Sequence, residues 1–194
     1  KGCSHYHHYK RPTLIHTQVR QREQLRIAGI EVVPEPDLSF MNECLRNFDL
    51  PKNYAVIIPG SSAKMKIKRW PATSYAELST VLAQRNITPV LIGTNEDMDV
   101  INIIKRMCPN ALNLAGKTSI FQIASLGRSA KFCIGNDTGP MHIIALTKCP
   151  TTAIFSTASF PEKAAPKGKH IKLLIREKLE DLSLDEVVSS IDLL

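Results

Sequence analysis

The chain has 194 residues, 43% of them hydrophobic, so it can bury the core of one large domain or of a domain with an added arm. Lysine and arginine outnumber aspartate and glutamate by 25 to 18, and the formal charge of +7 favours an anionic partner: a nucleotide, a phosphorylated glycan, an acidic lipid surface or a nucleic acid. No apolar run approaches the roughly 20 residues that a membrane-spanning helix needs.

Residues 1–51 are predicted to form an N-terminal arm and linker, the remnant of an interdomain region. The first 16 residues hold four of the six histidines, but no histidine pair has a cysteine or acidic partner at ligand spacing, so a flexible or partner-covered end is predicted rather than a metal site. Thr17 to Ala28 predicts a short helix ended by Gly29, and residues 37–50 predict a short helical or strand passage. Because the first residue is Lys1 rather than Met, we expect a fragment of a longer protein.

From residue 52 onward, short apolar runs alternate with segments of helical periodicity. Strands are predicted at residues 55–58, 89–92, 111–115, 130–134, 151–155 and 170–175. Helices are predicted at residues 74–86, 96–107 and 119–128, after the fourth strand, and after a capping box at residues 183–186. Ser74 is the predicted cap of the first helix. The predicted buried faces of two others consist of Val100, Ile103, Ile104 and Met107, and of Ile143, Ile144 and Leu146.

Strands and helices that alternate at this spacing predict an α/β fold with a doubly wound, mostly parallel and Rossmann-like sheet over residues 52–194. Ligands of such sheets bind at the carboxyl ends of the strands. Each loop that follows a strand is therefore a candidate wall of a binding site.

Two of these loops carry unusual side chains. The loop at residues 59–71 combines the hydroxyls of Ser61 and Ser62 with four cations between Lys64 and Arg69, which suits a diphosphate, although an ordinary solvated surface is the alternative. The loop at residues 93–97 ends in Glu96 and Asp97, which suits a ribose diol, with compensation of a helix dipole as the alternative.

Asp97 and Asp99 also form a D-x-D pair, which in some transferases holds a divalent metal. At the start of an amphipathic helix the two carboxylates point in different directions, so no metal is predicted.

The third loop, residues 133–142, reads as a strand, a sharp turn and the start of a helix. The turn from Gly135 through Gly139 would let a phosphate approach unpaired backbone N–H groups at the positive end of the helix dipole. Thr138 adds a hydroxyl and His142 an imidazole. An ordinary helix capped by Asp137 or Thr138 is the alternative.

The motifs P-G-S-S…K-x-W-P, I-G-T-N-E-D and G-N-D-T-G-P-M-H resemble the C-terminal half of the family 9 glycosyltransferases, the bacterial heptosyltransferases of the lipopolysaccharide inner core, over about residues 15–194. The resemblance implies a GT-B fold, whose second Rossmann-like domain would be residues 52–194. The catalytic residues that it implies are Lys68, Asp137 and His142. The donor-binding residues that it implies are Ser61, Ser62, Lys68, Glu96, Asp97, Asn136, Thr138 and Gly139. Lys68 would contact the donor phosphate, Asp97 or Glu96 the ribose, and Thr138 and Gly139 the diphosphate, while Asp137 and His142 would order the turn or touch the sugar.

The implied reaction is the transfer of a heptose or a related sugar from an ADP-sugar to a lipopolysaccharide core acceptor, with inversion and without a metal or other cofactor. The acceptor-binding domain and its general base have no counterpart in this chain, which is predicted to be the donor-binding half and inactive alone. The alternatives are another GT-B nucleotide-sugar enzyme such as an epimerase, or a non-catalytic nucleotide or nucleic-acid module. A nucleic acid partner is not predicted, because few aromatic side chains accompany the basic loop.

One stretch departs from the family pattern. After the fifth predicted strand the family usually has G-P-T/S-D, whereas this chain has Phe155-Ser-Thr-Ala-Ser-Phe160-Pro161. Elsewhere, Cys108, Cys133 and Cys149 fall in apolar surroundings, which predicts reduced, buried thiols and a cytoplasmic protein. A lipopolysaccharide acceptor would add a peripheral contact with the inner face of the cytoplasmic membrane.

Overall fold

The computed structural model describes residues 15–61 and 69–192, and in these ranges strands and helices alternate as predicted. The strands are β1 Tyr54–Ile58, β2 Thr88–Leu91, β3 Leu112–Asn113, β4 Cys133–Asn136, β5 Thr151–Ser156 and β6 Ile171–Arg176. The helices are α1 Thr17–Ile27, α2 Ala72–Gln84, α3 Met98–Met107, α4 Ile120–Ser129, α5 Gly139–Leu146, α6 Pro161–Ala164 and α7 Leu184–Asp192. Short 3-10 turns lie at Asn95–Asp97, Thr157–Ser159 and Leu179–Asp181.

All six strands are parallel, in the order β3-β2-β1-β4-β5-β6. The chain moves outward from β1 through β2 to β3, then returns to the other side of β1 and moves outward again. Ile57 of β1 pairs with Ile134 of β4 at the point where the direction changes. In open sheets of this kind, ligands bind above that switch point, so the predicted doubly wound fold is confirmed and its candidate site lies between β1 and β4.

Apolar clusters cover both faces of the sheet. Helices α2, α3 and α7 pack on one face around Trp70, Tyr75 and Leu78, while α4 and α5 pack on the other around Met141 and Ile144. All five residues of β1 are therefore buried, which explains why the strand reads as a continuous apolar run instead of an alternating one. None of the described helices has the length and apolar character to span a membrane.

Some predicted boundaries were wrong. Helix α2 begins at Ala72, directly after Pro71, so Ser74 lies inside the first turn and is not the cap. Strand β4 starts at Cys133 and extends through Gly135 to Asn136, beyond the predicted end at residue 134. Glycine at position 135 permits this extension because it has no β carbon. A β carbon there would clash with the carbonyl oxygen of Ile58, at a distance of 2.4 Å.

Two predicted helix faces were also partly wrong. Helix α3 buries Ile101 and Ile104, whereas Met107 is 48% exposed. The sequence pattern fits either face of α3, because four apolar residues lie within five positions there. In α5 the buried residues are Met141, Ile144 and Ala145, and Ile143 and Leu146 are only partly buried.

Residues 37–50 contain turns and no regular helix or strand, so that prediction was wrong as well. The segment nevertheless packs closely against α4. Arg128 donates to the carbonyl of Met41 at 2.8 Å, and the Ser125 hydroxyl accepts from the backbone N–H of Glu43 at 2.9 Å. Phe48 reaches the core. This part of the N-terminal segment is thus held against the α/β domain by its own contacts.

Candidate functional site

A cavity of about 320 Å³ opens at the carboxyl ends of β1, β2 and β4. Three loops with predicted site residues meet there. Its polar and backbone walls are Gly60 and Ser61 after β1, Gly93, Thr94, Glu96 and Asp97 after β2, Thr118 before α4, and Thr138 after β4. Ile58, Ile123 and Pro140 form apolar walls. The structure therefore brings together Ser61, Glu96, Asp97 and Thr138, which are far apart in the sequence.

The start of α5 forms one wall. Thr138 has the extended backbone of a residue that precedes a helix, yet its side chain makes no capping hydrogen bond. Its Oγ1 atom is buried and has no hydrogen-bond partner among the described residues. Gly139, the first helical residue, is exposed, and a β carbon there would meet no atom within 4 Å. An ordinary side-chain cap therefore does not describe this helix start, where the exposed Gly139 follows a buried hydroxyl that has no partner among the described residues.

Asn136, predicted to bind the donor, is fully buried and makes four hydrogen bonds within the protein. Its Oδ1 accepts from the backbone N–H of Trp70 at 3.1 Å and from the Tyr75 hydroxyl at 3.0 Å. Its Nδ2 donates to the carbonyls of Pro59 at 2.8 Å and Gly60 at 3.2 Å. Burial raises the pKa of Tyr75 well above its usual range, which keeps that hydroxyl a donor. Asn136 thus has its hydrogen-bonding capacity used within the protein, and its position suits joining β4 to the loop after β1.

The two neighbouring carboxylates have different surroundings. Asp97 is 6% exposed, and its Oδ2 accepts from the N–H of Thr94 at 2.9 Å and from the Thr94 hydroxyl at 3.1 Å. It packs so closely on the chain that a β carbon on Gly60 would lie 2.3 Å from its carboxylate and one on Gly93 2.9 Å. Glu96 lines the same cavity and is exposed. Glu96 is therefore the better placed of the two for a ribose, while Asp97 closes the turn.

Arg69 was missed as a site residue and counted only among the basic side chains of its loop. Its Nε donates to the Ser61 hydroxyl at 3.0 Å and its Nη2 to the Ser61 carbonyl at 2.6 Å. The same Nη2 lies 3.5 Å from Asp97 Oδ1. Arg69 thus links the loop after β1 to the loop after β2. The available signal was its position next to Trp70, because a buried tryptophan keeps its neighbour near the core.

Asp137 and His142 lie together beside the cavity and do not line it. The His142 Nε2 is 3.6 Å from Asp137 Oδ1, and the side chains are 40% and 14% exposed, respectively. The pair therefore offers a partly exposed imidazole at the same edge of the sheet as Thr138.

Two predicted contacts, Ser62 and Lys68, lie outside the described residues. Within residues 15–61 and 69–192, no group of three histidine, cysteine, aspartate or glutamate side chains could hold a metal ion. Asp97 and Asp99 of the D-x-D pair differ in surroundings: the first is buried in the turn, and the second is exposed on α3.

The chain matches one known protein family over most of its length. Residues 17–186 match the model of glycosyltransferase family 9 (heptosyltransferase). The chain belongs to this family. It is 33% identical over 121 residues to lipooligosaccharide heptosyltransferase 2 of Haemophilus influenzae, an alignment that covers 58% of this chain and 35% of that protein. With lipopolysaccharide heptosyltransferase 2 of Escherichia coli K12 it shares 32% over 114 residues, 55% of this chain and 33% of the relative.

Two solved structures are also similar to this family 9 chain. ADP-heptose lipopolysaccharide heptosyltransferase II of E. coli superposes with a TM-score of 0.70 at 25% identity, over 84% of this chain and 52% of that one. The E. coli heptosyltransferase WaaC with ADP gives 0.74 at 22% identity, over 93% and 57%, and supports the fold alone. The chain therefore spans about half the length of these structures and about a third of the curated relatives that it matches.

Proposed function

We propose that this chain is the donor-binding domain of a glycosyltransferase that transfers a heptose or a related sugar from an ADP-sugar. It corresponds to the second domain of a GT-B fold. The observation that carries the proposal is the start of α5, where Thr138 lines the cavity at the switch point of the sheet and its buried hydroxyl has no partner among the described residues. The next residue, Gly139, is exposed. A diphosphate supplies the acceptor atom that the Thr138 hydroxyl lacks.

The other walls suit the rest of the donor. The exposed Glu96 would accept hydrogen bonds from the ribose hydroxyls. Ser61 and Ser62 would bind the diphosphate on the side nearest the end of β1. Lys68 would pair with a phosphate oxygen as a point charge. The cavity of about 320 Å³ is large enough for part of a nucleotide, with its apolar walls toward the base.

The proposed reaction is an inverting displacement, in which an acceptor hydroxyl attacks the anomeric carbon and ADP leaves. Negative charge grows on the departing diphosphate, so hydrogen-bond donors supplied by α5, Thr138 and Lys68 would each lower the barrier by about 2–4 kcal/mol, the worth of a single oxyanion-hole donor. With charge stabilised in this way, no metal or other cofactor is needed. The Asp137 and His142 pair, at the same edge of the sheet, would orient the sugar or hold a proton near it.

The remaining parts of the reaction lie outside the chain. We propose that a further domain binds a lipopolysaccharide core acceptor, supplies the general base, and brings the enzyme to the inner face of the cytoplasmic membrane from the cytoplasm. The chain alone is then expected to bind the donor and to transfer nothing.

Calorimetry of the full chain with ADP tests the proposal. We expect micromolar to millimolar affinity, weakened about 10- to 150-fold in Thr138→Val and in Lys68→Ala, because one charge-assisted hydrogen bond is worth about 1.5–3 kcal/mol. Thr138→Ser is the matched control and should bind as the parent does. The Thr138→Val chain should keep or slightly raise its melting temperature, since the hydroxyl has no partner to lose.

A folded chain that binds no ADP contradicts the proposal. Binding that is unchanged in Thr138→Val contradicts the assignment of the diphosphate to α5. Binding of DNA or RNA that falls steeply with salt and is unaffected by ADP favours the nucleic-acid module instead.

A further inference from the structure

Three large apolar side chains are exposed close together at the beginning of α4. Ile120 and Phe121, the first two residues of the helix, are 60% and 42% exposed. Phe40 is 68% exposed, and its ring meets that of Phe121 nearly at right angles, with 6.1 Å between the ring centroids. We call these three residues the apolar patch. Single exposed apolar residues are ordinary, whereas a cluster of them indicates a surface that binds another molecule or a membrane.

The turn that carries Phe40 is fixed against α4. Arg128, near the end of the helix, donates to the carbonyl of Met41 at 2.8 Å. At the beginning of the helix, the hydroxyl of Ser119 donates to the carboxylate of Glu43. Phe40 is thus held in place by its neighbours while its own ring stays outside the core. A ring that is already ordered loses little conformational entropy on binding, so the patch is preorganised for contact.

Two cations lie at the two ends of α4. Lys117 precedes Ile120 by three residues and is exposed. Arg128 is also exposed and follows Phe121 by seven residues, which is close to two helical turns, so these two side chains project from the same face of the helix. The exposed apolar residues of the helix therefore lie between a lysine and an arginine.

A third cation, Lys148, lies beside the same turn. Hydrogen bonds from Ser39 lower the pKa of Asp37. The positive charges of Lys148 and Arg128 lower it further. Asp37 therefore stays ionised at neutral pH and offsets part of the positive charge, as does the exposed Glu43. The surroundings of the apolar patch keep an excess of cations, in line with the formal charge of +7 for the whole chain.

The apolar patch and the cavity lie at the same end of α4. Thr118, just before the helix, and Ile123, in its first turn, both line the cavity. Ile120 and Phe121 lie between these two positions and are exposed. A surface that covers the patch therefore comes close to the mouth of the cavity.

From this arrangement we infer that the apolar patch inserts into the headgroup region of a bilayer that contains anionic lipids, while Lys117, Arg128 and Lys148 attract the lipid phosphates. Exposed aromatic and aliphatic side chains with cations beside them are features of proteins that bind the membrane interface. A second copy of the chain fits less well, because it would bring the same cations together. The choice of a bilayer rests on the proposed function, whose lipopolysaccharide core acceptor is linked to a lipid. This contact would add to that of the further domain.

Sedimentation of the full chain with vesicles tests the inference. One set of vesicles contains phosphatidylglycerol mixed with phosphatidylethanolamine, and the other contains phosphatidylcholine alone. We expect stronger binding to the anionic set. The double variant Phe40→Ser with Phe121→Ser should weaken binding to the anionic set by at least about tenfold, because two apolar side chains no longer leave water on binding. Lys117→Gln should weaken it about fivefold, the effect of one cation near an anionic surface.

A second measurement reports insertion directly. Phe40→Trp adds a tryptophan whose emission should move to shorter wavelength, and be quenched by brominated lipid, when anionic vesicles are added. Trp70 is 1% exposed and contributes a constant background. Met107 is the matched control position, since it is 48% exposed on α3, which packs on the other face of the sheet. Met107→Trp should show neither change, and Met107→Ser should bind vesicles as the parent does.

The outcomes separate this inference from the donor-binding proposal. If the chain binds ADP but neither set of vesicles, or if the double variant binds vesicles as the parent does, the inference is wrong and the donor-binding proposal stands. If the chain binds vesicles through the patch but binds no ADP, the inference about the patch stands and the donor-binding proposal is wrong. A dimer that forms without vesicles and is dissociated by Phe40→Ser shows that a second copy covers the patch, which also overturns the inference. If the double variant does not fold, Phe40→Ser alone decides, because it changes the most exposed of the three side chains.

Discussion

Replacing Asn136 with alanine should damage the fold and the candidate site together. The side chain is fully buried, and its Oδ1 is the acceptor for the backbone N–H of Trp70 and for the hydroxyl of Tyr75. Asn136→Ala leaves both donors buried without that acceptor, which costs about 1–3 kcal/mol for each donor. The free energy of unfolding should therefore fall by about 2–6 kcal/mol. Domains of this size are stable by about 5–15 kcal/mol, so the variant should fold with much reduced stability.

A milder substitution, Tyr75→Phe, should have a smaller effect on stability. Tyr75→Phe removes one hydrogen bond and leaves Oδ1 paired with Trp70, so we expect a loss of about 0.5–1.5 kcal/mol and unchanged ADP affinity. Asn136→Ala should in addition weaken ADP binding, because it releases the carbonyls of Pro59 and Gly60 that fix the loop after β1. Asn102→Ala, at an exposed position of α3, is the control and should stay within about 0.5 kcal/mol of the parent.

Urea unfolding is the assay. The single tryptophan, Trp70, is 1% exposed and reports by fluorescence, and far-ultraviolet circular dichroism provides the second probe needed to verify a two-state transition. One unsatisfied buried donor alone costs about 1 kcal/mol. If the unfolding free energy of Asn136→Ala fell by less than this and ADP bound normally, the four hydrogen bonds of Asn136 would not hold the site together.

Three further predictions concern neighbouring parts of the domain. Arg69→Lys keeps the charge but cannot make both hydrogen bonds to Ser61, so calorimetry should find ADP binding weakened about tenfold, and an unchanged affinity would show that Arg69 does not shape the cavity. Gly60→Ala places a β carbon 2.3 Å from the Asp97 carboxylate and should lower the unfolding free energy measured in urea by about 1–3 kcal/mol, and an unchanged value would contradict this close packing. Burial raises the pKa of the Cys149 thiol to about 12 from an ordinary value of 9.0. The unfolded chain therefore loses its proton first, and urea midpoints should fall between pH 9 and pH 12, less steeply in Cys149→Ala.

The alternation of strands and helices could be predicted from the sequence because both faces of the sheet are covered. Buried parallel strands read as continuous apolar runs between turn residues, and Tyr54–Ile58 is such a run. The buried face of α3 could not be chosen in this way. Val100, Ile101, Ile103 and Ile104 fit two helical faces, and only the position of the sheet decides between them.

Contacts made by backbone groups could not be predicted from the sequence either. The segment at residues 37–50 has no periodicity, and it is held to α4 through the carbonyl of Met41 and the N–H of Glu43. Any residue type supplies these groups, so the sequence carries no signal for them. Arg69 was missed partly for this reason, because one of its partners is the carbonyl of Ser61, although its position next to Trp70 did provide a signal.

Within the candidate site, hydrogen-bond satisfaction separates residues that build the cavity from residues that are available to a ligand. Asn136 has four protein partners, and Asp97 is enclosed by Thr94 and the backbone of two glycines. Thr138 has a buried hydroxyl without a partner, although it belongs to the same short motif as Asn136. The positions of these residues along the chain do not show which kind each one is. The cost of burying an unpaired hydroxyl does, because among these residues it applies only to Thr138. A buried unpaired group costs about 1–3 kcal/mol, and a ligand that pairs with it recovers that free energy on binding. Donor affinity should therefore be most sensitive to one atom, the Oγ1 of Thr138.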